Sequence, residues 1–361
     1  MNRINVTETF LPPIEEYQKI IASLWESKWL TNRGKLVFSL EEKIHNHLNS
    51  NTKPLLVNNG TIALQVAIKA LGLTGEIITT PFSYVATTSS IVWENCSPVY
   101  VDIDPEYLTI DETKIEAAIT DKTSAILAVH VYGNPCAVEK IEEIAKKHNL
   151  IVIYDAAHCF GVTYNRKSLF DFGDVSTCSF HATKLFHTGE GGAIFCNNTT
   201  YSDTVFHHHN FGHNGPEAFH GLGINAKMNE LNAAMGHAVL PYMGHIISAR
   251  KKASEYYDAH IEWSTIRKPV LRKGTSYNYS YYPVIFKSEK HLLSFQKRLN
   301  EQNIFPRRYF YPSLNTIGYT TNQVMEISEK ISSCILCLPL FFGLEEKELE
   351  LICVTLNSQL C

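Results

Sequence analysis

Short β-type runs alternate with helical patterns from Pro54 to Asp155 of this 361-residue chain. The runs are centred on Leu55, Ile77, Val99, Ala125 and Ile151. Such alternation is typical of an α/β fold in which helices cover both faces of a largely parallel sheet. The last run, Leu150 to Tyr154, is continuously apolar, which predicts a strand buried on both faces.

The other patterns predict a second, smaller domain. The length and the hydrophobic content of 45% suit one large domain and a smaller one, and we place them at residues 1–240 and 241–361. Helices are expected at Ile14 to Trp29, Leu36 to Leu48, Lys140 to His148, Met228 to Ile261, His291 to Gln302 and Glu346 to Leu356. Three β-like pieces are expected after Asp174, and strands of the small domain at Ser276 to Phe286 and Ile335 to Leu338.

The composition argues against several classes of protein. The net charge is −4 without a basic stripe, so a nucleic-acid partner is not expected. No apolar stretch reaches the roughly 20 residues of a membrane span, and the polar start from Met1 to Glu8 does not resemble a signal peptide. The nine cysteines are odd in number and lack paired spacing, which predicts reduced thiols in a cytoplasmic protein.

Lys184 is the residue on which the functional prediction depends. A lysine is usually a solvated surface charge, but this one stands between a β-type run ending at Ser179 and a Gly-Glu-Gly-Gly turn. That turn leads into another β-type run, Ala193 to Cys196. A lysine held between buried strands is a candidate for a lowered pKa and a Schiff base with a carbonyl. Pyridoxal phosphate (PLP) is the common carbonyl cofactor that needs such a lysine.

Asp155 can supply the carboxylate that PLP also needs against its pyridinium nitrogen. It directly follows the predicted strand Leu150 to Tyr154, and ligands of open α/β sheets bind at the carboxyl ends of the strands. Taken alone, an aspartate at a strand end more often makes a local turn. Together with Lys184, Asp155 is predicted to be the partner of the ring nitrogen.

A phosphate site is predicted where Gly60-Thr61 opens an apolar helical pattern. Free backbone N–H groups and the positive end of the helix dipole suit a phosphate at such a turn, although a threonine there is also an ordinary helix cap. The Ser179 hydroxyl could donate to the same phosphate. Downstream, Tyr84 is a candidate to stack on the pyridine face, with a packed aromatic as the alternative.

Six motifs occur in an order that resembles a known family. They are Asn59-Gly60-Thr61, Pro81 to Thr87, Asp155-Ala-Ala-His158, Ser179-Phe-His-Ala-Thr-Lys184, Gly189-Glu-Gly-Gly192 and Gly223-Ile-Asn225-Ala-Lys-Met-Asn-Glu230. Together they resemble the DegT/DnrJ/EryC1/StrS family of PLP-dependent sugar aminotransferases over nearly the whole chain. The resemblance implies the aspartate-aminotransferase fold (fold type I), with a mostly parallel seven-stranded sheet, and a homodimer with shared active sites.

The resemblance also implies which residues contact PLP. They are Lys184, Asp155, His158, Gly60, Thr61, Tyr84, Ser179 and Asn225. His158 is at the position that contacts the ring 3-hydroxyl, which is often glutamine in relatives. Asn225 is at the position that reaches the phosphate from the neighbouring subunit. Lys227 departs from the many relatives that carry arginine there, which leaves the substrate contacts of this loop open.

Further motifs resemble family members that aminate C4 of dTDP-4-keto-6-deoxyglucose. They are Phe10-Leu-Pro-Pro13, Lys28-Trp-Leu-Thr-Asn32, Tyr132-Gly-Asn-Pro-Cys136 and Pro306-Arg-Arg-Tyr-Phe-Tyr-Pro312. The resemblance implies amino transfer from L-glutamate to this dTDP-keto-deoxysugar, as in lipopolysaccharide O-antigen biosynthesis. C3 aminotransferases acting on a dTDP-3-keto-6-deoxyhexose share part of these motifs, and no residue spacing decides between the two.

The candidate substrate contacts combine basic and aromatic side chains. They are Lys28, Trp29, His181, Arg307, Arg308, Tyr309 and Tyr311. Arginines suit a nucleotide diphosphate, and aromatic rings suit a thymine or sugar face. A surface salt-bridge site is the alternative for the group around Arg307, and a packing role is the alternative for His181.

Two other functions of the same fold, and a metal site, are less favoured. Related sugar dehydratases carry histidine at the position of Lys184, and a non-catalytic sensor is expected to have lost Lys184 or Asp155.

A cluster of histidines lies at His207, His208, His209 and His213. Adjacent positions on a helix point to different faces, and no Cys-x-x-Cys accompanies them, so a metal is not expected.

Overall fold

The computed structural model describes residues 3–320 and 323–358. Met1 of the polar start and Cys361 at the predicted end of the small domain lie outside the described residues. The strands are β1 (Ile4–Asn5), β2 (Leu55–Val57), β3 (Glu76–Thr79), β4 (Ser97–Tyr100), β5 (Thr123–Val129), β6 (Ile151–Asp155), β7 (Thr163–Tyr164), β8 (Lys167–Ser168), β9 (Val175–Ser179), β10 (Gly192–Cys196), β11 (Thr275–Ser276), β12 (Tyr282–Ile285), β13 (Ile304–Phe305) and β14 (Ile335–Leu338).

The helices fall between these strands largely where the periodicity predicts them. They are α1 (Ile14–Ser27), α2 (Lys35–Leu48), α3 (Gly60–Ala70), α4 (Val85–Trp93), α5 (Glu112–Ile115), α6 (Val138–His148), α7 (Ser202–His208), α8 (Glu230–Val239), α9 (Met243–His260), α10 (Glu289–Glu301), α11 (Glu326–Cys334) and α12 (Glu346–Asn357).

A seven-stranded sheet with the order β2-β10-β9-β6-β5-β3-β4 forms the centre of the molecule. Its neighbouring strands are parallel except for β10, which runs antiparallel to both β2 and β9. The mostly parallel sheet predicted for the large domain is therefore confirmed. Asp155 ends β6 and is in register with Val129 of β5 and Thr177 of β9, so it lies at the carboxyl edge of the sheet.

Helices cover both faces of this sheet. On one face, Leu40 and Ile44 of α2 pack with Ile141 of α6 in a buried cluster. On the other face, Leu64 and Ala67 of α3 belong to a second buried cluster. Because both faces are covered, the apolar strands are removed from water, as their sequences predict.

A separate core gathers around the antiparallel pair β12 and β14. Tyr257 of α9, Phe295 of α10 and Ile352 of α12 are buried in it, together with Ile4 of the N-terminal segment. This core corresponds to the predicted small domain, whose boundary at residue 240 stays a prediction.

Two strand predictions are wrong in detail. The region Ser276 to Phe286 forms two short strands, since Tyr279 adopts a left-handed backbone conformation with φ of 57°. Just before it, the Asn278 amide is buried and donates to two backbone oxygens, those of His158 and Phe160, which draws the chain out of a strand. After Asp174 two strands rather than three follow, because the segment between β9 and β10 forms the loop that carries Lys184.

Candidate active site

A cavity of about 670 Å³ opens at the carboxyl ends of β5, β6 and β9, beside the first turn of α3. Ten of the predicted site residues line it: Gly60, Thr61, Tyr84, Asp155, His158, Ser179, His181, Lys184, Arg307 and Tyr309. They come from sequence positions as far apart as 60 and 309, and the parallel sheet brings them to one edge.

The loop that carries Lys184 is held by backbone hydrogen bonds. Phe180 donates to the oxygen of Gly191 at 2.8 Å, and Ala182 donates to that of Gly189 at 2.7 Å. Lys184 is half-buried in the cavity wall. Burial lowers the pKa of its amine, while the nearby Tyr309 and Asp155 act in the opposite direction. The larger desolvation effect increases the neutral fraction of the amine, which is the reactive form toward a carbonyl.

Asp155 is a buried carboxylate, 6% exposed, that faces the same cavity. Burial raises its pKa, and hydrogen bonds from the Thr87 hydroxyl and the Ala157 N–H, together with the charge of Lys184, act against that rise. The Thr87 Oγ1 donates to Oδ2 at 2.7 Å, and the Ala157 N–H donates to Oδ1 at 3.2 Å. A cation placed against this carboxylate would stabilise its ionised form further.

Gly60 allows α3 to approach β9 closely. A Cβ at this position would lie 2.8 Å from Cβ and 3.2 Å from Cα of Ser179, and the latter is backbone that cannot move aside. The Asn59 side chain caps the helix by accepting a hydrogen bond from the Ile62 N–H at 2.8 Å. The helix N-terminus, with Thr61, therefore meets the end of β9 at the cavity, in the arrangement that binds anions.

His158 is a buried histidine with a defined hydrogen-bond partner. Its Nδ1 accepts the backbone N–H of Tyr132 at 3.1 Å, and its ring stacks 5.8 Å from the Phe310 ring. Burial, and then the charge of Lys184, lower its pKa well below the usual value. His158 is therefore a neutral imidazole with its proton on Nε2.

These groups together fit PLP. A half-buried lysine can bind its aldehyde, a buried carboxylate can pair with its ring nitrogen, and a glycine-opened helix turn can hold its phosphate. The cavity volume lies in the range of small-molecule and cofactor sites.

Five predicted contacts do not line this cavity: Lys28, Trp29, Asn225, Arg308 and Tyr311. Arg308 instead forms an ion pair with Glu289, with 2.6 Å between Nη2 and Oε1. Its guanidinium also lies 3.5 Å from the ring centroid of Tyr311. Lys28, Trp29, Asn225 and Tyr311 are exposed on the surface of the single chain. The roles of these five residues as substrate or cofactor contacts stay predictions.

The residues of the site that the sequence predictions do not include are more numerous, and Thr87, Glu190 and Tyr281 are among them. Thr87 and Glu190 stand within family-like motifs, which could have indicated them. Tyr281 comes from the chain that follows Asn278, and no local pattern connects it with the sheet edge.

Two histidines of the cluster make hydrogen bonds to backbone oxygens of α7. The His208 Nδ1 is hydrogen-bonded to the Thr204 carbonyl oxygen at 2.8 Å, and the His209 ring is bonded to the Phe206 oxygen. Both bonds lie at the C-terminal end of α7. Among the described residues, no three His, Cys, Asp or Glu side chains are grouped as metal ligands.

Within residues 3–320 and 323–358, no helix has the length and apolar character to cross a membrane.

Comparison with known proteins gives a consistent result. The model of the DegT/DnrJ/EryC1/StrS aminotransferase family matches residues 13–357. A dTDP-4-amino-4,6-dideoxy-D-glucose transaminase from Shigella dysenteriae is 42% identical over 98% of each chain. A protein of the same name from Escherichia coli is 37% identical over 95% of each chain.

A solved structure confirms the predicted fold. The crystal structure of DesI in the presence of its TDP-sugar product superposes with a TM-score of 0.94 at 26% identity, covering 99% of this chain and 93% of that chain. Three observations indicate the same family: the fold, the motifs around Lys184 and the match over almost the entire sequence. The chain belongs to the DegT/DnrJ/EryC1/StrS aminotransferase family.

Proposed function

We propose that this chain transfers the amino group of L-glutamate to C4 of dTDP-4-keto-6-deoxy-D-glucose, giving dTDP-4-amino-4,6-dideoxy-D-glucose and 2-oxoglutarate. The observation that carries the aminotransferase chemistry is the placement of Lys184 and Asp155 in one cavity with the N-terminus of α3. The choice of substrate is supported by the names of the relatives that are 42% and 37% identical. Lys184 and Asp155 are both present, which disfavours a non-catalytic sensor. The lysine at position 184 also disfavours a dehydratase, which is expected to carry histidine there.

The chain's own residues divide the work of the reaction. When bound, PLP supplies the electron sink for a carbanion at the amine carbon. The Lys184 amine, whose pKa is lowered mainly by burial, accepts the α-proton of glutamate and in the second half-reaction donates a proton to C4 of the sugar. Because one lysine serves both substrates in turn, ping-pong kinetics are expected.

Substrate anions require a cationic group in the cavity, and Arg307 can supply it. Its guanidinium lies 4.9 Å from the ring centroid of Tyr309, which also lines the cavity. We propose that this pair holds the glutamate carboxylate and the nucleotide diphosphate alternately, since the two substrates bind in turn.

A homodimer is part of the proposal. Large apolar side chains are exposed on the single chain, including Trp25, Trp29 and Phe38, and such a surface is typical of a protein interface. Asn225, which does not line its own cavity, would then reach the partner's cofactor phosphate. The described cysteines are all free, which supports a cytoplasmic location.

Product analysis tests the proposed function. The purified protein is incubated with PLP, L-glutamate and dTDP-4-keto-6-deoxy-D-glucose, and NMR of the product locates the new amine. An amine on C4 is expected. An amine that appears only with a dTDP-3-keto-6-deoxyhexose, on C3, would support the alternative regiochemistry, and failure to aminate either sugar would refute the proposal.

A further inference from the structure

We propose that His181 and Glu190 bind one hydroxyl group of the hexose beside its reacting carbonyl, and so select the sugar in the second half-reaction. The proposal rests on the proposed sugar-aminotransferase function and assigns a sugar contact within the same cavity. We call the two residues the His181–Glu190 pair.

The His181–Glu190 pair is built on the loop that carries Lys184. Both residues line the cavity, and His181 precedes Lys184 by three positions. The loop is closed by the hydrogen bond from the Ala182 N–H to the Gly189 oxygen at 2.7 Å. The Thr9 hydroxyl anchors it further by donating to the Ala182 oxygen at 3.0 Å. The backbone of the loop is thus fixed next to the lysine that reacts, and it carries both members of the pair.

The orientation of the His181 ring is set by Thr183. The backbone N–H of Thr183 donates to Nδ1 at 3.2 Å, and Oγ1 of the same residue lies 2.8 Å from that atom. A backbone N–H can only donate, so Nδ1 is an acceptor and the neutral ring carries its proton on Nε2. The Nε2–H is therefore the free donor of His181, and it faces Glu190.

Donor and acceptor of this pair are close without being hydrogen-bonded, so a hydroxyl oxygen can lie beside both atoms but not on the line between them. The His181 Nε2 lies 3.6 Å from the Glu190 Oε1, which is too long for a hydrogen bond. The side chains are 46% and 62% exposed, so neither group is held by burial. A hydroxyl both donates and accepts. It can therefore accept from Nε2 and donate to the carboxylate at the same time.

The sign of charge separates the hexose from the other ligands. The Glu190 carboxylate repels the carboxylates of glutamate and the diphosphate of the nucleotide. The hexose is neutral and offers the C3 hydroxyl beside its C4 carbonyl. The His181–Glu190 pair therefore favours the sugar, whereas Arg307 serves the anionic groups.

Binding to the PLP-free protein gives a direct test. We compare the native chain with His181→Phe and Glu190→Gln, and with Glu143→Ala as a matched control on an exposed carboxylate of α6. Calorimetry measures Kd for dTDP-4-keto-6-deoxy-D-glucose and for dTDP alone. The first two variants are expected to bind the sugar nucleotide about 10-fold more weakly, as for loss of a hydrogen bond to a charged group, with dTDP binding unchanged. Circular dichroism verifies folding.

Half-reactions with bound PLP give a second readout. Loss of the visible absorbance on adding L-glutamate reports the first half-reaction, and its return on adding the ketosugar reports the second. His181→Phe is expected to slow the second half-reaction at least 10-fold more than the first. His181→Gln, which retains an N–H donor, should recover part of that loss.

The outcomes separate the two proposals. Variants that bind the sugar nucleotide as tightly as the native chain contradict the His181–Glu190 pair alone. Variants that lose dTDP and the sugar nucleotide to the same extent also contradict it, because the effect then lies at the nucleotide. A native protein that neither binds the sugar nucleotide nor responds to L-glutamate contradicts the proposed function itself, and the pair with it.

Discussion

The backbone N–H of Tyr132 donates a 3.1 Å hydrogen bond to the Nδ1 of His158. Because Tyr132 has a left-handed conformation with φ of 57°, its N–H points at the ring rather than into a regular helix. The bond forces the proton of the neutral imidazole onto Nε2. His158 therefore offers an N–H donor at Nε2, as the side-chain amide of a glutamine would.

The first prediction concerns the protonation of His158. Because burial and Lys184 lower its pKa well below 6.5, the ring should stay neutral from about pH 5 to 8, with Nδ1 unprotonated. Nitrogen-15 NMR of the PLP-free, histidine-labelled protein measures both properties. His158→Gln should retain most activity and His158→Leu should lose about 10-fold or more. A ring that titrates near pH 6.5, or carries its proton on Nδ1, would contradict the assignment.

Local sequence patterns were sufficient to predict that Lys184 and Asp155 face one cavity, and their catalytic roles stay predictions. Asp155 follows a continuously apolar strand, and the carboxyl edge of a parallel sheet is where such a residue meets a ligand. Tyr281 was not predictable in this way, because it reaches the cavity only through tertiary contacts of the small domain. The split of Ser276 to Phe286 was also hidden, since the buried hydrogen bonds of Asn278 override the strand propensity of the tyrosines around it.

The second prediction separates charge from shape at Asp155. Asp155→Asn keeps the volume and can still accept from Thr87, but it cannot stabilise a protonated ring nitrogen. Breaking a buried ion pair costs about 3 kcal/mol, so kcat should fall on the order of 100-fold. The free energy of unfolding of the PLP-free protein should change by only about 1 kcal/mol, since the buried charge has no ring to pair with. Near-native kcat in this variant would contradict the role of Asp155.

The third prediction tests the contact between α3 and β9. Gly60→Ala places a Cβ 2.8 Å from the Cβ of Ser179, and such overpacking costs about 1–3 kcal/mol. PLP affinity, measured by titration of the visible absorbance, should fall about 10-fold. Gly244→Ala in α9 is the control, because nothing lies within 4 Å of its added Cβ and alanine favours a helix. Equal affinities in the two variants would show that the close approach does not shape the phosphate site.

The fourth prediction is an acid destabilisation caused by His130. Burial, and then Arg272, lower its pKa from 6.5 to about 3. Below pH 6.5 the unfolded chain binds a proton that the folded chain does not take up until about pH 3, so stability falls as the pH falls. Between pH 6.5 and 5 this group alone should remove about 1.7 kcal/mol. His130→Asn keeps an acceptor for the Cys136 N–H. Between the two pH values its free energy of unfolding, measured by urea titration, should therefore fall by about that amount less than the free energy of unfolding of the native protein. Parallel losses in both proteins would contradict this prediction.

The fifth prediction tests whether Asn225 acts across a dimer. Lys184→Ala and Asn225→Ala should each be nearly inactive. If Asn225 serves the partner's cofactor, a hybrid dimer has one site with both residues intact and one site with neither. Random mixing of equal amounts, by co-refolding or co-expression, should then restore about one quarter of the native activity. If Asn225 acts within its own chain, each site of the hybrid carries one defect and the mixture stays inactive. Activity measured against the fraction of each subunit distinguishes the two arrangements, because complementation follows the hybrid population and is greatest at equal amounts.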